Sequence, residues 1–200
     1  MSKKPLIKVL YEVEVRNKQG KLLTKRKGVS KSLLANFMRW FKAKISVTTE
    51  SVVDTDGTSR TIIYGGTISN HGVAGRINAE DDNDDYGIMV GSGTVAVSPE
   101  DYQLASKIAH GIGTGQLDYG TQTFETVVVS NNTSSFRVSR TFTNLSGASI
   151  SVQELGIAMK TYTTDQTTIS ILILRDVLAS PVSVPDGATL TVRYTFQVTA

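Results

Sequence analysis

The 200-residue sequence contains no cysteine. That excludes disulfides, thiolate nucleophiles and cysteine-ligated zinc. It has no run of about 18 apolar residues, so neither a membrane-spanning helix nor a membrane partner is expected. The opening Met1-Ser2-Lys3-Lys4-Pro5 is basic, but Lys8, Glu12 and Glu14 interrupt the apolar stretch behind it. An ordinary signal peptide is therefore not expected, and folding in a cytoplasm is. Histidine is scarce: His71 and His110 each stand beside a glycine, and no spacing supplies them with further metal ligands. No Gly-x-Ser-x-Gly surrounds any serine. Gly111-Ile-Gly-Thr-Gly115 has no Lys-Ser/Thr after it and opens no helix, so it makes no phosphate cradle. No cofactor is expected, and the sequence reads as that of a protein that is not an enzyme.

What is present is unevenly charged. Residues 1–44 hold 13 Lys and Arg against Glu12 and Glu14, and the remainder holds 8 basic and 16 acidic residues. A positive arm and a negative body attract each other, within a subunit or between subunits. Lys25-Arg26-Lys27 is the densest basic cluster, and nucleic acid is its rival partner.

Residues 6–15 alternate as a strand, Asn17-Lys18-Gln19-Gly20 is a turn, and Lys21–Lys25 returns as a hairpin partner. Ser30 is placed to cap a helix over 31–44, whose Leu33, Leu34, Phe37, Met38, Trp40 and Phe41, followed by Ile45, make a wide apolar face. Residues 46–72 are rich in Ser, Thr and Gly, with short β-type pieces such as Thr61–Tyr64. Tyr86–Val90 reads as a buried strand. Ser98-Pro99-Glu100-Asp101 has the cap, proline and acids that open a short helix reaching Ile108. From 116 onward, strands are expected near 116–119, 122–129, 135–144, 149–160, 168–175 and 188–198, with turns between them. The expected fold is mainly β: an antiparallel β-sandwich or jelly-roll-like body over 46–200, with a basic N-terminal hairpin and one amphipathic helix over 1–45.

Two carboxylate sets invite chemistry. Asp81, Asn83 and Asp85 have the spacing of the first EF-hand ligands, but Tyr86 stands where that loop needs glycine and Ser92 where it needs glutamate. An EF-hand is excluded, and a looser calcium site stays open. Glu154 and Asp176 would be the pair of a glycosidase-like enzyme. The competing expectation is that Glu154 pairs with Arg175 across the sheet, fixing register or an interface.

Residues 86–200 carry a succession of short motifs. Tyr86-Gly-Ile-Met-Val-Gly-Ser-Gly93 is followed by Ser98-Pro-Glu-Asp-Tyr-Gln-Leu104, Ile108-Ala-His-Gly111 and Gly115-Gln-Leu-Asp-Tyr119. Then come Arg140-Thr-Phe-Thr-Asn144, Ile150–Ile157, Leu172–Leu178 and Val184–Tyr194. This order resembles a class of β-rich structural proteins of tailed bacterial and archaeal viruses. The resemblance implies a virion location, assembly with copies of itself and with other virion proteins, and no catalytic residues. A tail, tail-tip or capsid-surface component is the leading expectation, with Lys25, Arg26, Lys27, Phe37, Trp40, Phe41, Glu154 and Arg175 at the assembly interface. The alternative is a carbohydrate- or receptor-binding β-sandwich on the particle. That reading needs exposed aromatics in a groove, for which Tyr64, Tyr86, Tyr102, Tyr119 and Tyr162 are the candidates.

Overall fold

The computed structural model describes residues 6–30, 32–63 and 75–199. Tyr64, His71 and Lys31 lie outside them. The fold is mainly β, with antiparallel strand pairs throughout and one helix among the described residues. The strands are β1 (Leu6–Arg16), β2 (Leu22–Ser30), β3 (Glu50–Val53), β4 (Ser59–Ile62), β5 (Gly87–Gly91) and β6 (Asp118–Tyr119). They continue with β7 (Thr123–Phe124), β8 (Val128–Ser130), β9 (Thr133–Thr143), β10 (Ile150–Tyr162), β11 (Thr168–Val184) and β12 (Thr189–Thr199). The helix α1 spans Ala35–Ser46.

A seven-stranded sheet runs β2-β1-β12-β9-β6, with β7 and β8 also pairing with β9, and a three-stranded sheet runs β11-β10-β5. Alternation decides which face of the large sheet is buried. Val9, Val13 and Val15 of β1, Leu190, Val192 and Tyr194 of β12, and Val138 and Phe142 of β9 turn inward. They meet Ile88, Val90, Leu155, Ile157, Ile171 and Leu174 of the small sheet in one core. The small sheet is covered on its other face too, where Leu34, Met89, Leu104, Ala158 and Leu172 form a second cluster. Burial on both faces explains why β5 and the middle of β11 read as continuous apolar runs without alternation.

The hairpin and helix expected over 1–45 are in contact with the body over 46–200: β1 pairs with β12 along its whole length and Ala43 of α1 sits in the main core. Some local expectations need correction. Ser30 does not cap the helix. It ends β2 opposite Val9, and α1 starts after Leu34 with no side-chain cap. The entry is held instead by the Leu34 N–H on the Ile173 carbonyl and the Ala35 N–H on the Pro99 carbonyl. Asn36 then ties α1 to β3 by exchanging hydrogen bonds with the Val53 main chain, at 2.8 and 3.2 Å. The strand expected over 122–129 is broken into β7 and β8, and β11 runs on to Val184 to pair with the start of β10. The helix expected at 98–108 is an irregular segment. Its signals close only a turn, in which the Asp101 N–H bonds the Ser98 carbonyl and the Asp101 carboxylate accepts from the Ser98 N–H. The N–H groups of Ala105 and Ser106, which a helix would turn back on itself, donate to the Glu154 carboxylate.

Candidate functional site

Two buried arginines organise the loops around the small sheet. Glu154 and Arg175 lie on its outer face, fully enclosed at 0% and 1% exposure. Arg175 Nε donates to Glu154 Oε1 at 2.6 Å, and its Nη1 reaches Asp101 Oδ2 at 2.7 Å. The remaining Arg175 contacts are the carbonyls of Val95 and Ala96. Burial would lower the guanidinium pKa, but hydrogen bonds to Asp101 and Glu154 outweigh it and raise the value. Glu154 Oε2 also crowds Gly91 and Gly93, where an added Cβ would come within 2.6 Å of it. Those glycines let the segment after β5 close over the carboxylate. The cross-strand pair expected from the sequence is therefore present, but it welds the 92–106 segment to its own sheet and reaches no outside surface. Asp176 points the opposite way, toward the large sheet, where it accepts from the Tyr194 hydroxyl at 3.2 Å. Glu154 and Asp176 thus lie on opposite faces of the β10–β11 ladder and do not act as one carboxylate pair.

Arg140, which the sequence reading did not single out, is 1% exposed. Its five N–H donors reach the carbonyls of Gly120, Tyr86, Ile88, Glu80 and Asn83. Tyr119 lies under the guanidinium at 4.9 Å. Burial lowers its pKa, opposed by nearby Tyr119, Asp84 and Asp81. The acidic loop is thus held from below by a cation. Asn83 accepts from the Asp85 N–H, and Asp84 accepts from the His110 N–H and faces Lys107 at 3.4 Å. Asp82, His110 and Asp118 come together above it, with His110 Nε2 3.7 Å from Asp82 and Nδ1 3.8 Å from Asp118. Nδ1 accepts from the Tyr119 N–H at 3.3 Å. In the neutral ring the proton then sits on Nε2, so no lone pair faces Asp82 for a cation. The hydrogen bonds that hold His110 run through the main chain, from its own N–H to Asp84 and from the Tyr119 N–H to its Nδ1, while Asp82 and Asp118 stand beyond hydrogen-bond reach.

The basic arm is matched in part within its own hairpin. Lys25 lies 3.2 Å from both Glu12 and Glu14, Lys27 lies 2.9 Å from Glu12, and Arg16 and Arg193 join them. Arg26 points to the other face, opposite Val13, and is exposed. Desolvation works to raise the pKa of Glu12 and Glu14, yet the Lys and Arg hydrogen bonds hold both below the ordinary value. A carboxylate with a lowered folded-state pKa stabilises the fold above its unfolded value, near pH 4, and that contribution fades as acid titrates it through the folded value. Amide exchange along β1–β2 is expected to speed up below about pH 4 relative to the core of β10. Equal protection of the two from pH 7 to pH 3 would refute this.

On α1, Phe37 stacks with Trp40 at 6.3 Å and with Phe41 at 6.2 Å, and Phe37 and Trp40 pack on the core. Phe41 is exposed, together with Met38 and Ile45, so the helix has a second apolar stripe on its outer side. Of the tyrosines offered for ligand stacking, Tyr86 and Tyr119 are core residues, and Tyr102 and Tyr162 are half-buried. One concavity of about 580 Å³ is bordered by Tyr11, Val29, Leu33, Leu34, Val97 and Val177, with Ser32 and Asp176 supplying polar atoms to its lining.

The inner face of the large sheet continues beyond the small sheet. Phe136 and Phe196 stack at 5.1 Å, half-buried, and the next row is in full register: Ile7 opposite Val198, Val198 opposite Ser134, Ser134 opposite Val129. Ile7 and Val129 are 73% and 74% exposed. Beside them Val127 and Val128 are also exposed, so three successive valines stand in water at the margin of the sheet. The sequence carries their signal as an uncharged run from Thr126 to Phe136.

No protein-family model, curated protein or solved structure matches the chain.

Proposed function

We propose that the chain is a structural subunit that assembles with copies of itself, as a component of a virus particle of the tailed kind it resembles in sequence. The observation that carries the self-assembly is the exposed row Ile7–Val198–Ser134–Val129 with its valine margin, and a second exposed apolar stripe is Met38–Phe41–Ile45 on the helix. Contiguous apolar patches on a folded surface mark contact with another macromolecule. The interior supports the same reading, since the two most deeply buried arginines serve to fasten loops. Light scattering at micromolar concentration is expected to give a particle mass well above that of a single chain. A strictly monomeric protein, unchanged when mixed with other components of the particle, would remove the proposal.

A further inference from the structure

Among the described residues the large sheet has two open margins, and their chemistry differs. At one, β2 presents Lys25, Arg26 and Lys27. Pairing this strand with its own copy would set like charges against each other, which is how edge strands are kept apart. At the other, β8 pairs only with β9 among the described residues. Nothing from Thr126 to Phe136 is charged. Val127, Val128 and Val129 are 65%, 57% and 74% exposed, so the margin is β-branched on both faces and guarded on neither. In an antiparallel ladder successive residues turn their main-chain groups alternately toward and away from the neighbouring strand. Every other residue of β8 therefore offers an N–H and a carbonyl at the open margin.

We infer that the Val127–Ser130 edge receives the same edge of a second copy of this chain, by antiparallel pairing centred on Val128. The inference rests on the self-assembly reading above and names the surface and the occupant. The charge pattern selects a second copy. Centred on Val128, each Val127 meets the other copy's Val129, and Glu125, the nearest charge in sequence, lies beyond the paired segment, past the end of the other copy's strand at Ser130. A two-fold axis through Val128 stands perpendicular to the sheet and keeps the inner faces of both copies on one side. The two rows Ile7–Val198–Ser134–Val129 then adjoin across the joint, with the Val127 and Val129 side chains of both copies meeting at its centre. The symmetric contact also leaves the basic margin of each copy outermost, where it stops further sheet extension. β-Augmentation of this kind draws affinity from main-chain hydrogen bonds and register from side chains on alternate faces.

The chain is free of cysteine, so a single introduced thiol reports one position. In Val128→Cys the two thiols face each other across the axis, at a Cα separation that a disulfide spans. Mild oxidation is expected to give a covalent dimer faster than it does in Gln19→Cys, which sits in the exposed β1–β2 turn. Val128→Lys, at an exposed site that leaves the core intact, is expected to lower the assembled mass at concentrations where the unmodified chain is assembled. If the unmodified chain assembles but Val128→Lys matches it and Val128→Cys cross-links no faster than Gln19→Cys, the edge is not the joint and the self-assembly reading stands without it. If the unmodified chain is monomeric, both fall.

Discussion

Arg140→Met is expected to destabilise the fold by at least about 3 kcal/mol, because it strands several buried carbonyls at once. Each unsatisfied buried acceptor costs about 1–3 kcal/mol, and of the five carbonyls held by Arg140 those of Tyr86 and Ile88 are buried with it. Arg140→Lys tests whether charge or geometry matters. A lysine keeps the charge but brings three donors from a single atom, which cannot address carbonyls spread from Glu80 to Gly120. Both variants are therefore expected to lower the urea midpoint, with lysine recovering only a minor part. Hydrogen exchange should show the loss first at 80–88, the segment the guanidinium holds. A lysine variant as stable as the parent would show that the site needs only a cation.

Glu154→Gln is the second large effect, expected at about 3–5 kcal/mol, the cost of leaving one member of a buried ion pair without its partner. The amide fails for a specific reason. Glu154 Oε1 accepts from Arg175 and from the Ala105 N–H, and Oε2 accepts from the Ser106 N–H. A glutamine keeps one acceptor oxygen and turns an NH2 group toward a main-chain donor. Asp101 is then left as the only carboxylate on Arg175. The double variant Glu154→Gln, Arg175→Met removes the stranded charge, so its loss should be smaller than the two single losses added. Additive losses would mean that the two side chains stabilise the fold independently, contrary to their 2.6 Å contact.

Much of the large sheet was legible because half-buried strands announce themselves. Leu190–Val198 and Phe136–Phe142 alternate, and they became β12 and β9 with the inward residues the pattern assigns. The first hairpin was legible as well, but its ion pairing was not: Glu12 stands five residues before the turn at Asn17–Gly20 and its partner Lys27 seven after it, an offset set by an irregularity at Val15–Arg16 that counting from the turn does not reveal. The segment after Ser98 was not. Its cap, proline and acids are sound local signals, but the decisive hydrogen-bond acceptor is Glu154, 49 residues away from Ala105. Local propensity loses to a buried carboxylate that captures the N–H groups first. Arg140 was hidden for a related reason. On the strand it falls among inward residues, where a charge looks like an error of register until its carbonyl partners, contributed by three other segments, are in place. The exposed valines were read as part of one long strand, and only the observed break at Glu125–Val127 reveals them as a margin.

The pairing of β1 with β12 along their full length carries a consequence for biosynthesis. β12 is the centre of the large sheet, yet it is translated after every other strand. Until it leaves the ribosome, β1 has only β2 as a hydrogen-bonded neighbour, and a lone two-stranded hairpin is marginal in water. The largest sheet therefore closes last, by joining the two most distant strands in the sequence, the kind of long-range step that slows folding. During that wait the edge of β1 that β12 will occupy stays unpaired, so the last strand made completes the sheet that the first one begins.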